Sequence, residues 1–346
     1  MGNTRSHRIA TRLGAVLAAA MVLAALAAAR AEAADADKNY VMKLGVATLN
    51  DTQHEWMKLF VAAVEQDSGG RIKGEIYPAS QLGSIPREIE GVQFGSIQGY
   101  IGPPEFFVGV DERYEVLSAP GLVAGVDQAI RVAADPQLKS MIFGFGTNKG
   151  IHAVAIFIAQ PSSVIARSPI NHLADFKGKK LRVLAAHFQE ETIKRLGGTP
   201  IAMTLADVLP ALQGGTIDGA VAIVSVFTQQ GYIDVAKSVT ETGQPYIFSL
   251  ATISRKWYEG LPPDLQKVID ADAEKAVQQV TPWARDFYTA QRKVWLDKGG
   301  SLIQLPPDEQ AEMMKMIATV GDDLSKDKPA LKEAYDAVVA AAKRAQ

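Results

Sequence analysis

Residues 40–48, YVMKLGVAT, alternate loosely between apolar and polar positions and predict a β-strand. In residues 54–66, Met57, Phe60, Val61 and Val64 recur at helical spacing, which predicts an amphipathic helix. Ser68-Gly69-Gly70 stops that helix, and RIKGEIYP predicts a second strand ended by Pro78. A helix over 87–94 and a short strand over 97–101 complete a β-α-β-α-β order, which implies a parallel sheet with helices on its faces.

The pattern then restarts. Residues 151–158 and 164–166 predict strands, 172–176 (HLADF) a helical turn, and KGKKLRVL another strand. A helix over 188–196, a strand over 200–203, a helix from Thr204 or Asp207 to Gly214-Gly215 and a strand over 217–223 follow. Two α/β units in tandem predict two lobes, with a ligand held between them. From Pro263 the chain turns helical, and 264–296 predicts one long helix anchored by Trp283, Phe287 and Trp295. The expected division is a leader over 1–33, a first lobe mostly over 34–150 and a second mostly over 151–250. A helical region over 251–346 packs across both.

The leader reading rests on Arg5, Arg8 and Arg12, an apolar run over 13–29, and Ala31-Glu32-Ala33, the three-part layout of a secretory signal peptide. The run is short for a bilayer core, which needs about 20 apolar residues. Cleavage is expected after Ala33, with Ala31 as the alternative. Losing 1–33 removes four arginines and one glutamate from 36 basic and 38 acidic residues, leaving a net charge of −5. An acidic chain gives no electrostatic support for nucleic-acid binding. With no cysteine there is no thiolate chemistry and no disulfide. An exported, disulfide-free chain suggests the bacterial periplasm.

Catalytic patterns are missing from the sequence. The five histidines, His7, His54, His152, His172 and His187, form neither H-E-x-x-H nor H-x-x-E-H. There is no G-x-S-x-G elbow. GFGTNKG (144–150) lacks the third glycine of a dinucleotide loop, and no P-loop is present, so no cofactor or metal is expected. The carboxylate pairs Glu190-Glu191 and Asp322-Asp323 fall in helical, solvated stretches. What remains is a set of apolar elements with isolated polar groups, which suits a binder. One such group is Arg182, between Leu181 and Val183; alternation sets it on the opposite strand face, either the wet side or a ligand side.

The pieces SGGRIKGEIYPASQLGS (68–84), VQFGSIQ (92–98), SPINHLADFKGKKLRV (168–183), LGGTPIAMTLADVLPALQGGTIDGA (196–220) and LPPDLQKVIDADAEKAV (261–277) occur in this order. Together they resemble the solute-binding proteins of tripartite ATP-independent periplasmic (TRAP) transporters, the DctP-like family, over most of 40–300. The resemblance implies a two-lobed α/β periplasmic binding fold that closes around an organic acid and delivers it to a membrane permease. It also implies that Arg182, in the KGKKLRV strand, grips the ligand carboxylate. A guanidinium meets a carboxylate with two parallel charge-assisted hydrogen bonds, a planar match that lysine lacks.

Departures from the family pattern bear on the ligand. Many members carry a second arginine in a Gly-x-Arg context before the SPI segment; this chain has FIAQPSSVIA, with Gln160, Ser162 and Ser163. Where many have Glu-Asn after the IDG turn, it has Val221-Ala222, and Leu209 stands where tyrosine is common. Each change removes a polar contact, so the expected ligand is a monocarboxylate with an apolar or aromatic body, with a C4-dicarboxylate or sugar acid as the alternative. Tyr100, Phe157, Phe188, Phe227 and Phe248 are candidate walls, each more readily read as plain core. Ala222 is a candidate apolar contact; His54, Gln160, Ser162 and Gln244 are candidate hydrogen-bond partners. A sensor of the same fold is a rival reading, and an enzyme a weaker one because no nucleophile or metal site accompanies the acid. Trp283, Phe287 and Trp295 suit either the domain's own core or a homodimer through the long helix, as in some relatives.

Overall fold

The computed structural model describes residues 38–346; the expected leader lies outside the described residues. Eleven strands form two sheets. The first holds β1 (Tyr40–Val46), β2 (Ile72–Tyr77), β3 (Gly99–Gly102), β4 (Ile151–Pro161) and β10 (Tyr246–Ser254), ordered β2-β1-β3-β10-β4. The second holds β5 (Ser163–Ala166), β6 (Lys180–Val183), β7 (Thr199–Ala202), β8 (Gly219–Ala222), β9 (Ser238–Thr240) and β11 (Ser301–Ile303), ordered β11-β9-β5-β8-β6-β7.

The first sheet is mixed and not parallel throughout. β1 runs parallel to β2 and β3, but β10 pairs antiparallel with both β3 and β4. The sequence reading contained no strand over 246–254. It also placed β4 in the second lobe, whereas β4 is the edge strand of the first sheet. The chain leaves that sheet at Pro161, passes Ser162 and enters β5; it returns from β9 through 241–245 into β10. These two crossings lie side by side. Ser162 N donates to Pro245 O at 3.1 Å, Gly243 N to Ser162 O at 3.2 Å, and Ser162 Oγ to Gln244 O at 2.6 Å.

The helix Thr52–Asp67 begins where Asp51 caps it, its carboxylate accepting from Gln53 N and His54 N at 3.1 Å. It buries Trp56, Met57, Phe60 and Val64 against β1 and the long helix, with Trp56 stacked between Phe60 and Phe157. The long helix Pro263–Asp297 has 35 residues, about 50 Å at the α-helical rise, and packs on both lobes. Trp295, near its end, is fully buried and donates to Ser301 O at 3.1 Å. Trp283 and Phe287 stack on one another, half-buried, 4.4 Å between centroids. Among the described residues no helix is long and apolar enough to cross a membrane.

Candidate ligand-binding site

Three strands of the two sheets end at one cleft. Ala47 and Thr48 follow β1, Leu184 follows β6, and Ala222 and Ile223 close β8; all five line it. Strand ends leave backbone groups and loops free to face a ligand, so crevices there are the usual binding place in α/β proteins. The cleft takes in about 420 Å³, space open to solvent included, and is completed by Gln53, Ile85, Pro103 and Phe106 from the first lobe and Leu205 and Val226 from the second, with Ile247 beside the crossing. Thr48, Gln53 and Arg182 are its only polar side chains, and Arg182 its only charged one.

Arg182 is 2% exposed, because the second sheet is covered on both faces and alternation there exchanges one buried side for another. Its Nε donates to Met203 O at 2.9 Å and its Nη1 to Val221 O at 2.9 Å. Among the described residues Nη2 has no partner, although the side chain borders the cleft. Burial lowers its pKa to about 10, with Tyr232 and Glu105 opposing, so the group stays charged near neutrality. A guanidinium held by two carbonyls, with donors to spare at a cavity wall, can take an anionic oxygen without reorganising.

The first-lobe side is set by the helix cap. Thr48 Oγ1 donates to Asp51 at 2.8 Å, and Gln53 Nε2 donates to Ser249 Oγ at 3.0 Å. Both side chains are thus held at the cleft mouth. Behind this wall Glu105 and Glu88 are buried carboxyls, each raised by burial to about 7. Glu105 also reaches across the lobes, accepting from Gln189 Nε2 at 3.0 Å. A parallel crossing joins Glu115 Oε2 to His187 N at 2.9 Å.

Of the eleven residues expected in the site, the cleft collects Arg182 and Ala222. The others lie elsewhere. His54 Nδ1 accepts from Asn50 N at 3.0 Å, a local tie in the helix's first turn. Ser162 joins the two crossings, and Gln244 spans them to the first lobe, Nε2 donating to Val123 O at 2.9 Å. Gln160 Oε1 accepts from Ser225 N at 3.4 Å, and its side chain borders a different cavity, beside Tyr288. Phe157 belongs to the Trp56 stack, Phe227 packs on Tyr232, and Phe248 is buried in β10. Tyr100 is buried under Phe107, and Phe188 beside Tyr335. The sequence reading missed Thr48, Gln53, Ile85, Phe106 and Glu105. The polar TLNDTQ stretch directly after the first strand was the available clue to Thr48 and Gln53.

Two α/β lobes, joined by paired crossings and enclosing a cleft with one buried cation, define a solute-binding receptor. The chain belongs to the bacterial extracellular solute-binding protein family 7, the DctP family, whose model matches residues 45–327. Family members are transport receptors, not enzymes. The C4-dicarboxylate-binding periplasmic protein DctP of Rhodobacter capsulatus is 25% identical over 277 residues, covering 77% of this chain and 80% of its own. The 2,3-diketo-L-gulonate-binding periplasmic protein YiaO of Escherichia coli is 26% identical over 230 residues, 65% of this chain and 69% of its own. A TRAP periplasmic solute-binding protein from Desulfovibrio salexigens with bound orotic acid shares the fold, with a TM-score of 0.84 at 21% identity, covering 89% of this chain and 100% of that one. Another from Shewanella oneidensis with bound succinate gives 0.81 at 21% identity, covering 88% and 99%.

Proposed function

We propose that this protein captures an organic monocarboxylate with an apolar or aromatic body in the periplasm and hands it to a TRAP membrane permease. The observation that carries this reading is Arg182, a buried guanidinium two of whose donors are held by carbonyls and whose remaining donors border a cleft that is otherwise apolar but for Thr48 and Gln53. The relatives support an acid, since a C4-dicarboxylate, a diketo acid, orotic acid and succinate are named as their ligands. The cleft's composition supports a single carboxylate. A second one would meet Ile85, Leu205 or Ile223, and each hydroxyl of a sugar acid left unpaired there would cost about 1–3 kcal/mol.

The mechanism is a population shift between open and closed lobes. The paired crossings at Ser162 and 241–245 are short enough to flex while both sheets move as rigid units. A ligand touching Arg182 on one side and Thr48 or Gln53 on the other stabilises the closed form, which presents both lobes to the permease. A calorimetric panel of aromatic acids, branched keto acids, C4-dicarboxylates and sugar acids tests the ligand class. Tight binding confined to succinate, malate or a sugar acid would overturn the monocarboxylate reading, and uptake that survives deletion of the permease would overturn delivery.

A further inference from the structure

Glu105 sits directly behind the cleft wall, on the turn Pro104–Phe107, and its neighbours Pro103 and Phe106 line the cavity. It is 1% exposed; one carboxyl oxygen accepts from Gln189 of the second lobe, and the other, Oε2, is buried without any hydrogen-bond partner. The elements packed around it carry Glu88, Tyr114, Glu115 and Tyr246 from the first lobe and His187 and Tyr232 from the second; burial raises the Glu105 carboxyl, and the bond from Gln189 and the attraction of Arg182 oppose that rise. Arg182 lines the same cavity as Phe106, next to Glu105 in the chain, so Glu105 and the carboxylate of a ligand are both candidate counter-ions for it. A buried cluster with one cation tolerates one anion far better than two.

Resting on the reading of this cleft as an acid site, we propose that Glu105 couples ligand binding to uptake of a proton. It takes up that proton from solvent when the ligand's carboxylate joins Arg182, so that the buried cluster holds one negative charge beside its one cation. The unpartnered Oε2 is where that proton can sit. Burial raises the Glu105 carboxyl to about 7, so the residue is partly ionised near neutrality, and a bound anion favours the protonated form further. Arg182, at about 10, and Tyr232, raised to about 12, hold their charge states across the same range.

Calorimetry on the full mature chain tests this, with benzoate and 4-methyl-2-oxopentanoate as monoanions and succinate as the dianion. Each is titrated between about pH 6 and pH 8.5 in two buffers of different ionisation enthalpy. For the monoanions we expect uptake approaching one proton per ligand above neutrality, with affinity falling about tenfold per pH unit above about pH 7. Glu105→Gln, which keeps an acceptor for Gln189 and stands in for the protonated carboxyl, should abolish both effects while leaving the preference for monoanion over succinate as it is in the native chain at about pH 6. Glu88→Gln is the control for the other carboxyl raised to about 7, and it should leave the slope intact. Proton-neutral, pH-independent binding by the native chain, or a slope that survives in Glu105→Gln, would overturn the role of Glu105. Failure of all three probes to bind at any pH would instead overturn the acid-site reading and this inference with it.

Discussion

The two walls of the cleft bury opposite charges. The second lobe buries a base, Arg182, whose two carbonyl partners fix it while leaving donors toward the cavity. The first lobe buries acids, Asp51, Glu88 and Glu105 among them, with no cationic partner within hydrogen-bond reach, and presents only neutral polar groups, Thr48 and Gln53, at the surface of the cleft. Arginine stays charged under desolvation because its intrinsic pKa is so high, whereas a carboxyl in the same surroundings gives up its charge. One lobe thus offers a permanent charge and the other a conditional one.

The sharpest way to break this contrast is to remove the base. Arg182→Ala should weaken acid binding by about 2–5 kcal/mol, roughly thirtyfold to several thousandfold, measured by calorimetry. Arg182→Met should lose binding to a similar degree while the thermal midpoint holds or rises, since an apolar replacement of a buried charge is often neutral or stabilising. A sharp fall in that midpoint would mean that Arg182 serves the fold more than the ligand.

The conditional charges should register in stability. Glu88 and Glu105 have folded-state pKa values raised by burial from 4.5 to about 7. Their protonated forms favour the native state, so stability is greatest below about pH 4.5 as far as these groups are concerned and is lost as pH rises through 7. The thermal midpoint should drop by about 5 °C between pH 5 and pH 8, and Glu88→Gln should remove part of that drop. A midpoint flat over this range would mean that neither acid is held neutral.

Smaller effects are expected from the neutral side. Gln53→Ala removes the bond to Ser249 and one polar group at the cleft, and should weaken binding by about 1 kcal/mol, or fivefold. His187→Ala should change affinity by less than about threefold, because the exposed ring adds little to a crossing that the backbone N–H of residue 187 already makes to Glu115. A large loss there would make this crossing a latch on closure in its own right.

How far the sequence could be read differs between residues for physical reasons. The helix Thr52–Asp67 and the long helix Pro263–Asp297 were legible because apolar spacing and stop residues are local. β10 was not. YIFSLATIS shows no alternation because it is a central strand buried on both faces, and its partners β4 and β3 lie about 100 and about 150 residues away in the chain. The aromatic residues expected at the site are large and apolar, and a core takes such side chains as readily as a ligand pocket does. Phe157, Phe227 and Phe248 were drawn there. Gln160, Ser162 and Gln244 are polar residues near the crossings, and the structure uses Ser162 and Gln244 to tie the crossing segments together.

By itself the order of apolar and polar residues determined that the chain forms two α/β units and a long C-terminal helix, because helix and strand periods are written within a few turns of chain. Composition alone removed cysteine chemistry. Which side of a strand is wet, which strand ends meet, and which charges lose water could be decided only once both sheets were packed. Burial is a property of three-dimensional neighbours, and it is burial that turned Arg182 from the polar face of a short strand into a buried charge at the wall of the cleft. Burial likewise made Glu105, unremarkable in PPEFF, a carboxyl poised between two charge states.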